Sequence, residues 1–180
     1  MSPWQDEPLV SNRLDDLRAL VGRRVAAFER YAFRGYTHPG HRGSEKAFEL
    51  GEGLVAVRFV EHPAIAMFWG HESACTLGLS VHDESSSESF EHDEFELIAT
   101  SDDFPEWRRV RNGVIVSCGL IDWNRSAGRQ GYPEGGVYLR LADGPEVLIA
   151  YQLVSQAEDL LLHAGLSPHL KAQLRYIEAG

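Results

Sequence analysis

Residues 137–153 constrain the fold of this chain more than any other stretch, because two alternating apolar runs flank a turn signal there. Val137, Leu139 and Leu141 alternate before the Ala-Asp-Gly-Pro turn at 142–145, and the residues that alternate after it are Val147, Ile149, Tyr151 and Leu153. This pattern predicts an antiparallel hairpin.

The predicted register of this hairpin keeps both apolar sets on one face. A one-residue slip would move every side chain to the other face, so the predicted pairs are Leu141 with Val147, Leu139 with Ile149, and Val137 with Tyr151. This register leaves the loop 142–146, in which we expect Gly144 to take a positive φ and Pro145 to stay outside the ladder.

The rest of the chain is largely a series of short apolar runs with brief turns between them. These runs predict strands over 24–33, 54–60, 65–69, 75–81, 95–99 and 114–122, with residues 48–50 forming a second hairpin with 54–60. Residues 34–46 are polar and aperiodic, which predicts a loop. Because no helical crossover separates the runs, the pattern favours an antiparallel sheet.

Helical patterns occur near both ends of the sequence. After Asn12, Leu14, Leu17 and Leu20 lie on one stripe, and Gly22 predicts the end of that helix. A capping box at 155–158 precedes three leucines and Gly165, and Ser167-Pro168 opens a further helical pattern. The predicted fold class is therefore α+β, a predominantly antiparallel sheet with an N-terminal helix and two C-terminal helices.

A chain of 180 residues is long enough to form one domain with a sizeable core. We expect a single globular domain over 1–180, with a loose arm at 1–10 and a mobile acidic loop at 82–94 (HDESSSESFEHDE). The two cysteines, Cys75 and Cys118, each lie inside an apolar run, which favours reduced core residues. With no signal-peptide pattern or membrane-spanning run, a cytoplasmic protein is expected, and the excess of Arg over Lys is typical of a GC-rich bacterial genome.

The net charge of −10 is concentrated in one block of the sequence. Residues 60–107 contain twelve acidic residues and no Lys or Arg, whereas the remainder has fifteen acids and seventeen bases, a balance of +2. We call residues 60–107 the acidic block. A field of this sign repels nucleic-acid phosphates and attracts basic partners or cations, so nucleic-acid binding is disfavoured. The run Trp107–Arg111 follows the block directly, and we expect its arginines to pair with part of it.

The acidic block contains the first candidate for a metal site. His82 and His92 are each followed by two carboxylates, and imidazole with carboxylate suits Zn²⁺ or Mn²⁺. However, the sequence has no H-E-x-x-H motif, no EF-hand loop and no set of Cys ligands. A solvated acidic loop is the favoured interpretation, and no cofactor is predicted.

A second candidate is a small-molecule or metal-binding enzyme site built from loops at one end of the sheet. Its candidate residues are His38, His41, Asp122, Trp123 and Arg125. The sequence contains neither a G-x-S-x-G nucleophile elbow nor a glycine-rich phosphate-binding motif that would identify a reaction.

The favoured function is that of a non-enzymatic acidic domain that binds a basic protein, as an inhibitor or an immunity-type protein would. Charge complementarity speeds such association and selects partners. The candidate partner-binding residues are Asp83, Glu84, Glu88, Glu91, Asp93 and Glu94. The loop-built enzyme site remains the alternative.

Overall fold

The computed structural model describes most of the chain. The described residues are 8–34, 43–51, 53–61, 63–71, 76–83, 95–122, 135–154, 157–165 and 175–178. Within them, only the backbone is described at 71, 83, 122, 152–154, 157–159 and 175–178.

The described residues form two antiparallel sheets. Sheet 1 has the strand order β5-β4-β3-β1-β6, with β1 Val25–Phe33, β3 Leu54–Phe59, β4 Ala64–His71, β5 Thr76–Asp83 and β6 Phe95–Thr100. Sheet 2 has the order β11-β7-β8-β9-β10-β2, with β2 Leu50–Gly51, β7 Ile115–Asp122, β8 Gly136–Leu141, β9 Glu146–Val154, β10 Ala157–Ala164 and β11 Arg175–Glu178. The prediction of a mainly antiparallel fold is confirmed.

Helices are short in the described part of the chain. Two α-helices are present there, α1 Leu14–Arg18 and α2 Glu45–Glu49, together with 3₁₀ turns at Val10–Asn12, Ser101–Asp103 and Arg108–Val110. None of these helices has the length and apolar character needed to cross a membrane.

The main core lies between the two sheets. Alternate residues of each strand face it, including Val55 and Val57 from β3, Leu77 and Leu79 from β5, and the β8–β9 residues Val137, Leu139, Leu141, Val147, Ile149 and Tyr151. Gly70 of β4 brings the sheets close together, since a Cβ there would lie 2.8 Å from the Tyr151 ring. Alternation with a period of two residues therefore assigns these side chains to the inner face.

The two sheets are joined at one corner by backbone hydrogen bonds. The start of β1 runs against the segment before β7: Val25 N donates to Gly113 O at 2.9 Å, and Asn112 N donates to Val25 O at 2.8 Å. An isolated bridge between Arg24 and Val114 continues this pairing.

The predicted β8–β9 hairpin is present, but its predicted register is wrong. Leu139 pairs with Val147 and Val137 with Ile149, so each residue has a partner two positions away from the predicted one. An even shift keeps the same residues on the inner face, which is why alternation could not exclude it. The loop is 141–145, and the positive φ belongs to Asp143, at 54°, instead of Gly144.

The first predicted C-terminal helix is wrong, because its leucines lie in β10. Leu160 and Leu162 are buried in the main core while Leu161 is only partly buried, which is strand periodicity. β10 pairs with β9 along its whole length, and this pairing overrides the local capping-box signal. Most of the second predicted C-terminal helix lies outside the described residues, and residues 175–178 form strand β11.

Three N-terminal predictions also differ from the structure. Residues 9 and 10, expected in a loose arm, are fully buried, and Leu79 N donates to Pro8 O at 2.8 Å. The first helix ends at Arg18, before the predicted stop at Gly22. Residues 48–50 do not form a hairpin with β3, because they belong to α2 and β2, and β2 pairs with β10.

Arg30 connects sheet 1 to α2 and sheet 2 from a fully buried position. Its guanidinium donates to Phe48 O at 3.0 and 2.9 Å, to Gly51 O at 3.3 Å and to Leu160 O at 2.8 Å. These acceptors belong to α2, β2 and β10. A carbonyl in the last turn of a helix carries partial negative charge, which suits a buried cation.

α2 is fixed on its other side by an aromatic cluster. Trp107 is almost fully buried, packs edge-on against Phe48 with ring centroids 5.0 Å apart, and donates from Nε1 to Glu49 Oε1 at 3.0 Å. Phe104 also packs against Phe48, with ring centroids 5.2 Å apart. At the start of the helix, Ser44 Oγ accepts a hydrogen bond from Ala47 N at 3.1 Å, an N-cap.

We predict that Arg30→Met lowers the free energy of unfolding by about 3 kcal/mol, because it leaves buried carbonyls without a donor. Urea unfolding followed by circular dichroism measures the change. Arg18→Met is the matched control: Arg18 is exposed and pairs only locally with Asp15, so its loss should cost less than about 0.5 kcal/mol. Equal urea midpoints for the two variants would contradict this role of Arg30.

Candidate functional site

Three strands of sheet 1 come from the acidic block. Strands β4, β5 and β6 all fall within residues 60–107, and β5 and β6 are the two edge strands of that sheet. Residues 84–94, which hold five of the twelve acids, connect these two edges in the sequence. Glu61, Asp103 and Glu106 are exposed, and Glu96 and Asp102 are partly buried. The acids of the block therefore lie in β5 and β6 or in the segments that precede, connect or follow β4, β5 and β6 in the sequence.

The outer face of sheet 1, opposite the main core, carries a mixture of polar and aromatic side chains. Strand register places them in rows: Glu29, Ala56, Met67 and Ser80 form one row, and Tyr31, Leu54, Trp69 and Gly78 form the next. A separate apolar cluster on this face contains Tyr31, Leu54, Ala56 and Ile65, with Met67, Trp69 and Phe95 packed against it. We call this surface the outer face.

A charged cluster lies within the outer face. Tyr31 donates from its hydroxyl to Glu29 Oε2 at 2.7 Å, and Arg58 donates from Nε to the same oxygen at 2.8 Å. Arg58 Nη2 also donates to the Tyr31 hydroxyl at 3.3 Å. The Glu29 and Arg58 side chains keep only 14% and 23% of their surface exposed, so this ion pair is only weakly screened.

The cluster shifts the ionisation of two of its members. Burial raises the pKa of the Tyr31 hydroxyl above its ordinary value, and the hydrogen bond to Glu29 raises it further against a smaller lowering by Arg58. Burial alone would lower the pKa of Arg58, but its bonds to Glu29 and Tyr31 raise it overall. The cluster therefore holds a neutral phenol and a charged guanidinium around one carboxylate.

Ser80 and His82 lie on β5, which is separated by β4 from the Arg58 strand β3. Ser80 pairs with Met67 and His82 with Ile65, and the Ser80 hydroxyl forms a short hydrogen bond with His82 Nε2. His82 was predicted to lie in a mobile loop, but it is a partly buried strand residue because β5 continues to Asp83. The predicted loop 82–94 therefore begins two residues too early.

Trp69 has the largest aromatic surface on the outer face outside the buried cluster. Its indole lies directly over Gly78 of the neighbouring strand: a Cβ on Gly78 would come 2.1 Å from Trp69 Cε2 and 2.4 Å from Cζ2. The residue stays partly exposed. Glycine is required at 78 because any side chain would occupy the position of the ring.

The other predicted site residues lie at the ends of strands or outside the described residues. Asp83 ends β5 and Asp122 ends β7, where its backbone pairs with Arg175. The remaining partner-binding acids (Glu84, Glu88, Glu91, Asp93 and Glu94), together with His92, His38, His41, Trp123 and Arg125, lie outside the described residues. The structure thus places His82 and Asp83 at one edge of sheet 1 and Asp122 in sheet 2.

The basic run after the acidic block pairs with it locally. Arg111 Nη1 lies 3.5 Å from Asp102 Oδ2, and Arg108 Nε donates to the Asp102 carbonyl at 3.0 Å. Both Arg111 and Asp102 are well exposed, at 61% and 40%, so the pair contributes little to stability. The prediction of partial pairing is confirmed for Asp102.

Cys118 is a buried core residue, as predicted. Its thiol donates to Leu17 O at 3.3 Å, and burial raises its pKa while the charge of Arg18 acts in the opposite direction. A raised pKa disfavours the nucleophilic thiolate. Cys75 lies outside the described residues.

Within the described part of the chain, no group of three or more His, Cys, Asp or Glu side chains is arranged to hold a metal ion. The candidate metal ligands His82 and His92 are not both placed by the structure, because His92 lies outside the described residues. Comparisons with protein-family models, curated proteins and solved structures found no match. The function is therefore argued from the site alone.

Sequence reasoning missed the cluster of Glu29, Tyr31 and Arg58. A signal was present: residues 29 and 31 alternate within β1, and Arg58 interrupts an otherwise apolar run at a position that shares their face. What could not be read was the pairing of β1 with β3, which brings the two segments together.

We predict a specific pH dependence for Tyr31→Phe. Because the folded-state pKa of Tyr31 is raised, its stabilising contribution is complete below about pH 10 and is lost as pH rises further. The variant lacks two hydrogen bonds and should be about 1–2 kcal/mol less stable at neutral pH, with the gap to wild type narrowing above about pH 10. Urea unfolding across this range measures both effects.

Phenolate absorbance provides an independent check of the same assignment. At about pH 11, where an ordinary tyrosine with a pKa of about 10 is largely ionised, folded wild type and Tyr31→Phe should show nearly equal phenolate absorbance, whereas the urea-unfolded chains should differ by nearly one tyrosine. A full tyrosine of difference between the folded proteins would contradict the raised pKa.

Proposed function

We propose that this chain is a non-enzymatic acidic binding domain that captures a basic protein through sheet 1, as an inhibitor or immunity-type protein does. One observation carries the proposal. The acidic block, with twelve acids and no Lys or Arg, supplies both edge strands of sheet 1 and β4 between them. Two of these acids, Asp83 and Glu96, lie in the edge strands, and the others lie in segments that precede, connect or follow β4, β5 and β6 in the sequence.

Such an asymmetry favours association with a cationic surface. Complementary charge steers encounter, raises the association rate and disfavours acidic competitors. The remainder of the chain has a net charge of only +2, so it would not oppose the approach of a cationic partner to sheet 1. Nucleic acid is disfavoured as a partner for the same reason.

The side chains of the outer face suit a protein interface. Trp, Met and Arg are enriched in the buried centres of interfaces, and Trp69, Met67 and Arg58 are partly exposed on this face. Near the β6 edge, Phe33 and Leu97 are 40% and 51% exposed, and the Phe33 ring lies 4.5 Å from that of Phe95. An apolar margin of this kind provides contact area, and the acidic segment that precedes β6 in the sequence provides steering.

We predict that neutralising the acidic segment slows the capture of a cationic probe. In Glu91→Gln/Asp93→Asn/Glu94→Gln, the association rate of a fluorescent deca-lysine peptide should fall about tenfold at about 20 mM salt, because electrostatic steering is reduced. Stopped-flow anisotropy measures this rate, and the difference from wild type should shrink at about 150 mM salt.

The matched control carries the same change of charge elsewhere. Asp15→Asn/Asp16→Asn/Asp143→Asn removes three carboxylates outside the block, and Asn tolerates the positive φ of residue 143. Its association rate should stay within about twofold of wild type. Equal slowing in both triple variants, or binding that ignores salt, would overturn the assignment of the acidic block as the binding side.

A further inference from the structure

Trp69 forms a flat, firmly supported aromatic surface on the outer face. One side of its indole rests on Gly78, with the Nε1, Cε2 and Cζ2 atoms lying over the strand backbone. Gly78 is itself fixed, since it bridges to Leu9 on its other side and Leu79 N donates to Pro8 O at 2.8 Å. The ring therefore lies on a supported strand instead of a frayed edge.

The position of this indole differs from that of the buried tryptophan. Trp107 is almost fully buried, and its indole N–H donates a hydrogen bond to Glu49. Trp69 stays partly exposed, with one ring face covering Gly78. Of the cation–π contacts among the described residues, one joins Arg23 to Phe59 and another Arg140 to Tyr138, so neither occupies Trp69.

The sequence context of Trp69 favours a cation from outside the chain. Trp69 lies within the acidic block, where the sequence supplies no Lys or Arg. The nearby Arg58 is held by Glu29 and Tyr31 and pairs with Ile65, four residues before Trp69 on β4. Indole is the strongest aromatic partner for a cation, and the planar guanidinium of arginine also stacks on its face.

We propose that Trp69 is an arginine-binding platform, on which a guanidinium from an arginine-rich segment of the basic partner stacks. This inference rests on the proposed function and adds a selectivity to it: the acidic block attracts any cationic chain, whereas Trp69 favours arginine over lysine. Charge complementarity brings the segment to sheet 1, and the supported indole then selects the guanidinium.

The test compares deca-arginine and deca-lysine peptides as probes, using fluorescence anisotropy at equilibrium. In Trp69→Leu the Kd for deca-arginine should rise about fivefold, while the Kd for deca-lysine stays within about twofold of wild type. Gly78→Ala should give the same loss of preference, because its methyl group would displace the ring. Leu97→Ala, which trims an exposed apolar side chain at the opposite edge, is the control and should keep the preference.

The outcomes separate the platform from the proposed function. If Trp69→Leu and Gly78→Ala retain the wild-type preference for deca-arginine, the platform is wrong, while slower capture by the acidic triple variant would still support the function. If neither peptide binds wild type in a salt-dependent manner, both proposals fail. Thermal melts check that each variant folds. If Trp69→Leu does not fold, Trp69→Phe replaces it and should show a smaller loss of the preference for deca-arginine. An unchanged preference in Trp69→Phe would overturn the platform.

Discussion

The arrangement of the two sheets depends on the buried guanidinium of Arg30. A charged group without water is costly unless hydrogen bonds replace its hydration. Here the acceptors are carbonyls of α2, β2 and β10, three elements that follow β1 at quite different distances in sequence. Satisfying one side chain therefore requires all three elements to be in place. This requirement couples the position of α2 to the packing of sheet 1 against sheet 2. Because Trp107 packs against Phe48 of α2, the aromatic cluster depends on the same arrangement.

The order of strands in sheet 1 separates two parts of the acidic block. The block is continuous in sequence, but β5 and β6 are separated by three strands in the sheet. Asp83 at the end of β5 and Glu96 in β6 therefore lie on opposite edge strands. Meanwhile the arginines of β1 and β3 are engaged, Arg30 within the core and Arg58 with Glu29 and Tyr31. The proposed binding of a basic partner follows from this separation, and the Trp69 platform adds a contact with a defined chemical preference.

Comparison of prediction with structure shows where local patterns are sufficient. Strands β1, β3, β5 and β7 were predicted within a few residues, because buried strands leave runs of alternating or continuous apolar residues. The leucines at 160–162 were misread, since three consecutive leucines after a capping box satisfy helix and strand patterns equally well. The pairing of these residues with β9 determines that they form a strand. The site was predicted only in part: His82 and Asp83 lie at the edge of sheet 1, whereas the Glu29, Tyr31 and Arg58 cluster needs a pairing that local pattern does not contain.

The sequence by itself determined which side chains of the β8–β9 hairpin face the core, where its turn lies, and that the net negative charge comes from residues 60–107. These properties depend on neighbours one or two residues apart. Tertiary structure decided the register of that hairpin, the conversion of residues 157–164 into a strand, and the order of strands in each sheet. The physical reason is that a two-residue shift leaves every face unchanged. Only contacts between distant segments, such as the Arg140–Glu146 pair that closes the hairpin at 3.2 Å or the carbonyls around Arg30, distinguish one arrangement from another.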